Sequence, residues 1–133
     1  MILADSVLWI DFMRAKTPQP IKQLIAPYLA SRNAMLCEPV RFEVMRGERK
    51  ADRQKADTLL SSVPMLRTPA LMWQTAEQYG QTCLDGGLIV PPLDLLIAAV
   101  AVAYGAEVIT FDKHFEFMSK IIPKLKVRVL IRP

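Results

Sequence analysis

An α/β fold, with a mainly parallel five-stranded sheet sandwiched between helices, follows from three features of this 133-residue sequence. Short apolar runs alternate with longer amphipathic stretches along the whole chain, which is the pattern of parallel strands joined by helical crossovers. Two of these runs end on an aspartate, at Asp5 and Asp112, where open α/β sheets place their ligand crevice. The apolar run Leu95–Tyr104 is fenced by Pro91-Pro92 before it and Gly105 after it, a helix start and a helix stop. That run is about half of what a bilayer span needs, so it reads as a buried helix and no membrane association is expected.

Taken in order, Ile2-Leu3-Ala4 is a buried strand ending in Asp5, and Ser6 is placed to cap a helix over Val7–Met13. Val7, Ile10 and Met13 recur at helical spacing, and Trp9 and Phe12 broaden the apolar side. A second helical segment covers 17–31, with Ile21, Leu24, Ile25, Tyr28 and Leu29 on one face. Pro27 removes a backbone donor there, so a kink or two short pieces are expected. Ala34–Cys37 is the second strand. Pro39 then opens a helix on which Val40, Glu43, Val44 and Gly47 share one side. The next helix, 52–62, is apolar at Ala56, Leu59, Leu60 and Val63 and basic around Arg49, Lys50, Arg53 and Lys55. Pro64–Arg67 is the third strand; Thr68-Pro69 reads as a cap with proline at the first helical position, and that helix runs to about Leu84. Asp85-Gly86-Gly87 stops it. After the central helix come a strand at Val108–Thr110, a short helix at His114–Ile121 ended by Pro123, and a last strand at Val127–Ile131.

No internal repeat, low-complexity segment or interior linker interrupts the pattern, which predicts a single domain over residues 1–133. The composition, 52% hydrophobic and 23% charged, excludes a disordered chain. No charged leader with a small-residue cleavage site is present, and Cys37 and Cys83 lack metal-type spacing. The plain reading is a cytoplasmic protein with two buried free thiols. The net charge of +4 and pI near 9.3 are compatible with a nucleic-acid partner. Gly86-Gly87 is no phosphate loop, because no Lys-Ser/Thr pair follows.

Four acids stand where an acid is a poor structural choice. Asp5 and Asp112 end strands, Glu43 lies on an apolar helix stripe, and Asp94 precedes the apolar helix. Each alone has a bland reading as a cap, a turn former or an ion-pair partner. Together they suggest a shared site, because carboxylates packed close repel one another unless cations neutralise them. An all-oxygen ligand set suits Mg²⁺ or Mn²⁺, and such a centre is well matched to phosphodiester hydrolysis.

Four blocks carry a resemblance: MILADSVLWIDFM at the start, PVRFEVMRGE at 39–48, PLDLLIAAVA at 92–101 and VITFDKHF at 108–115. In this order they resemble the PIN-domain ribonucleases, especially the VapC-type toxins of bacterial and archaeal toxin–antitoxin pairs. The resemblance implies a three-layer α/β/α sandwich and a Mg²⁺- or Mn²⁺-dependent endoribonuclease acting on RNA. It also implies a homodimer held by a small antitoxin that covers the acidic groove. The family's acidic site maps onto Asp5, Glu43, Asp94 and Asp112, as catalytic and metal-binding residues. Ser6 and Thr110 match polar positions beside them. Where some relatives carry a further acid, two residues after Asp112, this chain has His114; Glu116 lies a turn onward.

Arg46, Arg49, Lys50 and Lys113 are candidates for phosphate contacts at the groove rim. His114, beside Phe115, reads as a capping or packing residue rather than a catalytic one. Trp9 and Trp73 read as core or dimer surface, and part of the apolar surplus is expected to lie exposed until a partner covers it. Two other readings stand beside the nuclease. One is a catalytically silent module of the same fold that binds RNA or an antitoxin. The other is a receiver-type phosphoacceptor domain, which would leave Glu43 without a role.

Overall fold

Five parallel strands form one sheet in the computed structural model, which describes residues 1–133: β1 (Ile2–Ala4), β2 (Ala34–Cys37), β3 (Met65–Leu66), β4 (Glu107–Thr110) and β5 (Lys126–Val129). Their order is β3-β2-β1-β4-β5. β1 lies at the centre, in register with β2 (Ile2 beside Ala34) and with β4 (Ala4 beside Ile109). Leu3, Ala4, Val108 and Ile109 are buried, which is why these strands read as continuous apolar runs rather than alternating ones. The chain moves outward from β1 through β2 to β3, then returns to β4 on the other side of β1. Right-handed crossovers therefore put helices on both faces and open a crevice where the order reverses, between β1 and β4.

Seven helices provide those layers: α1 (Ser6–Met13), α2 (Gln19–Leu29), α3 (Glu38–Arg46), α4 (Arg53–Ser61), α5 (Ala70–Asp85), α6 (Pro92–Tyr104) and α7 (Lys113–Ile121). A 3₁₀ turn at Lys50–Asp52 precedes α4. α6 is the most deeply placed, with Leu96 through Ala101 all buried. Pro92 opens it, and Gly105 ends it with φ of 68°, the left-handed turn that only glycine adopts without strain. Cys37 and Cys83 are free and buried, and burial pushes the Cys37 thiol up to about 12, so it is inert. No helix is long and apolar enough to cross a membrane.

Several local expectations change. Asp5 rather than Ser6 caps α1, accepting the Ser6 backbone N–H, and Ser6 is the first helical residue. Leu8 and Trp9 form the buried side of that helix, while Val7 is exposed. Pro27 leaves α2 in one piece, because it falls in the last turn and its missing donor removes a single hydrogen bond. Thr68 does not cap α5: Pro69 occupies the cap position, and the Thr68 N–H donates to Glu38 Oε1 at 2.6 Å instead. The last strand ends at Val129, and Ile131 beyond it is 86% exposed.

Candidate metal centre

The carboxyl end of the central strand fixes the first acid. Asp5 is 4% exposed, and its backbone N–H donates to the Ile109 carbonyl, continuing the β1–β4 pairing by one residue. Its Oδ1 accepts the Ser6 N–H at 2.7 Å as the cap of α1, and its Oδ2 accepts the Thr110 hydroxyl at 3.0 Å. Thr110 Oγ1 accepts in turn the Asp112 N–H at 2.9 Å. One fully buried hydroxyl thus joins the residues that follow β1 and β4.

Glu43 reaches the same place from α3. Val40 and Val44, three before and one after it, are fully buried and pin that side of the helix against the core. Asp94 arrives from the first turn of α6. It makes no capping hydrogen bond there, so the bland reading of Asp94 as a helix cap does not hold. One oxygen from each of Asp5, Glu43 and Asp94 lies within 4.8 Å of the other two.

Such a group is electrostatically uncomfortable without a cation. Burial raises the Asp5 carboxyl above its usual range, against the pull of its hydrogen bonds from Ser6 and Thr110. Burial and then the Asp5 charge raise Glu43. Burial, followed by the charges of Asp5, Glu43 and Asp112, pushes Asp94 up to about 7. Glu43 Oε1 is buried and has no hydrogen-bond partner. Three hard oxygen donors, mutually repelling and with one acceptor left orphaned, fit a divalent cation such as Mg²⁺ or Mn²⁺. The receiver-type reading has no use for an acid on α3.

Asp112 is not one of the three acids whose oxygens close within 4.8 Å. Its side chain is 41% exposed, and its Oδ1 accepts the His114 N–H at 2.8 Å as the cap of α7. The His114 ring Nδ1 lies 3.0 Å from the same oxygen. His114 is therefore a capping partner, and Asp112 acts on the cluster by charge, raising both Asp5 and Asp94. Arg46, Arg49, Lys50 and Lys113 are all exposed, and the Arg46 charge pulls Glu43 downward. Trp9 is core and Trp73 is surface. Asp11 and Arg132, to which the sequence assigns nothing, form an ion pair at 3.0 Å beside Phe111. Their separation leaves no local pattern to find.

The PIN domain family model matches residues 2–121. Ribonuclease VapC11 of Mycobacterium tuberculosis is 27% identical over 133 residues, covering 91% of this chain and 93% of the relative. The crystal structure of VapBC2 from Rickettsia felis, bound to a DNA fragment from its promoter, aligns with TM-score 0.73 at 22% identity, over 98% of this chain and 100% of that one. A toxin–antitoxin complex from Klebsiella pneumoniae aligns with TM-score 0.73 at 19% identity, over 97% of each chain. These structures share the fold described above.

Proposed function

The chain belongs to the PIN-domain family, and on that premise we propose that it is a divalent-metal-dependent endoribonuclease, the toxin of a toxin–antitoxin pair, built as one domain over residues 1–133. The observation that carries this reading is the meeting of Asp5, Glu43 and Asp94 from three separate elements within 4.8 Å, none of the three held in a salt bridge. A silent binding module would gain nothing from such mutual repulsion. We assign Asp5, Glu43 and Asp94 to the metal, with Asp112 as a fourth acid contributing charge at the rim.

When bound, the ion lowers the pKa of a coordinated water and offsets charge on the phosphate and on the leaving 3′ oxygen. The protein's own part is positional. Asp5 is locked by hydrogen bonds on both carboxylate oxygens. The positive end of α6 favours the ionised form of Asp94 once the repulsion is relieved. Glu43 brings an acceptor that nothing else satisfies. Arg46, Arg49, Lys50 and Lys113 are exposed and available to RNA phosphates. All-oxygen ligation favours Mg²⁺ or Mn²⁺ over zinc. Acting on RNA, the protein works in the cytoplasm.

A small antitoxin and a second copy of the chain are the protein partners. Their support is the toxin–antitoxin composition of structurally similar proteins and large apolar side chains left at the surface, among them Phe42, Leu71, Trp73 and Ile89. The test of the activity is RNA cleavage by the wild type and Asp5→Asn with Mg²⁺, Mn²⁺ or EDTA. Cleavage by the wild type with either metal, and none with EDTA or with the variant, is the expected result. Equal cleavage in EDTA, or by Asp5→Asn, sinks the reading.

A further inference from the structure

The residues after β5 run past the end of β4 and reach α1. The Leu130 N–H donates to the Thr110 carbonyl at 2.7 Å. Two residues on, the Arg132 guanidinium lies over the Phe111 ring, 4.2 Å from its centroid. The same group donates from Nη2 to Asp11 Oδ2 at 3.0 Å. Phe111 is flanked by Thr110, which bonds Asp5, and by Asp112, while Asp11 sits on α1, the helix that Asp5 caps. The Asp11 side chain is 14% exposed and that of Arg132 45%, so the carboxylate end of this ion pair is shielded while the guanidinium still meets solvent. Arg132 thus touches both elements that hold the aspartates of β1 and β4, and it is the one side chain that joins Asp11 to Phe111.

We propose that Arg132 is a positioning residue of the acidic centre, clamping α1 through Asp11 to the Phe111 ring and so fixing Asp112 relative to Asp5. A guanidinium suits this task because it can form a directed ion pair in its plane while stacking its face on an aromatic ring. It contributes no ligand and touches no substrate. Its effect runs through the loop 110–112, which is also tied to the cap of α1 by the Thr110–Asp5 hydrogen bond.

The proposal rests on the metal-dependent reading above, and direct Mn²⁺ binding, followed by calorimetry and by electron paramagnetic resonance, separates the two. Arg132→Gln is expected to weaken Mn²⁺ binding severalfold, less than the roughly 10- to 100-fold found when groups bonded directly to a metal's ligands are removed, because Arg132 acts one contact further out. Arg132→Lys keeps the ion pair but loses the planar stack and falls between wild type and Gln. Asp11→Asn combined with Arg132→Gln adds little beyond either single change, because both break one clamp. Arg128→Gln, which breaks the Arg128–Glu107 pair on the β5–β4 edge, serves as the control and leaves Mn²⁺ affinity unchanged. Wild-type affinity in Arg132→Gln overturns the proposal, and so does an equal loss in Arg128→Gln, since any loosening of the last strand then suffices. If Asp94→Asn also binds Mn²⁺ like the wild type, the metal reading itself falls; if Asp94→Asn loses binding and Arg132→Gln does not, only the clamp falls.

Discussion

Thr110 Oγ1 donates to Asp5 Oδ2 at 3.0 Å and accepts the Asp112 N–H at 2.9 Å, so one hydroxyl joins two aspartates that 107 positions of sequence numbering (5 to 112) keep apart. Thr110 is fully buried, which removes water as a substitute for either bond. A hydroxyl is the smallest group that can donate one way and accept the other.

Thr110→Val keeps the shape and β-branching but leaves the Asp112 N–H without that acceptor and Asp5 Oδ2 without that donor. The cost of stranding such groups is about 1–3 kcal/mol, read as a lower urea midpoint with an unchanged slope. Thr110→Ser, which retains the hydroxyl, should recover most of the lost RNA cleavage. If Val and Ser behave alike, the hydroxyl's two bonds do not organise the centre.

Asp94→Asn removes one charge from the cluster while keeping its size. The expected outcome is a loss of cleavage of at least about 100-fold, since a ligand should matter no less than the outer partners that tune one. The fold should survive, and metal-free unfolding at pH 8 should move to higher denaturant because repulsion from Asp5 and Glu43 is relieved. A fully active variant in Mg²⁺ or Mn²⁺ removes Asp94 from the site.

The pH dependence has a definite sign. The Asp94 carboxyl is pushed up to about 7 in the folded protein, against 3.8 for an unperturbed aspartate, and Asp5 and Glu43 move the same way. Between those limits the native state holds more protons than the unfolded chain, so stability falls as pH rises. Metal-free protein should therefore show a melting temperature that declines from about pH 4 to about pH 7 and then levels off. Saturating Mn²⁺ should flatten that decline by favouring the ionised native state. A melting temperature that rises through the same window in EDTA contradicts the buried-acid account.

Much of this was legible in the sequence because the signals were local. Pro92 and Gly105 fence α6 by backbone chemistry alone, and the apolar strand runs reflect burial on both faces. Glu43 stood out because an acid between Val40 and Val44 contradicts its helix stripe. What stayed hidden depends on groups that meet only in three dimensions. Thr68 looked like a cap, yet Pro69 takes the cap position, the Thr68 hydroxyl bonds nothing, and its N–H is held by Glu38, thirty residues earlier. Asp5 and Asp112 looked equivalent because both end strands, and both do cap the helix that follows, but Asp5 is 4% exposed at the sheet's centre while the Asp112 side chain is 41% exposed, a difference in burial that no local pattern encodes. Arg132 and Asp11 lie 121 residues apart, with no periodicity to connect them.

Glu43 gives the sharpest separation of stability from activity. Its carboxylate is half-buried, its Oε1 has no partner, and its neighbours along the helix stripe are core valines. Glu43→Met replaces it with an unbranched apolar side chain of similar length that can follow the same path. In EDTA at pH 8 the variant should be more stable by roughly 1 kcal/mol, a figure kept small because the group is partly solvated. Cleavage with Mn²⁺ should be lost at the same time. Combined with Asp94→Asn, the gain should fall short of the sum of the two single gains, since both substitutions relieve repulsion within one cluster. Full additivity in the urea midpoints would mean that the two acids do not feel each other, and the shared site would have to be abandoned.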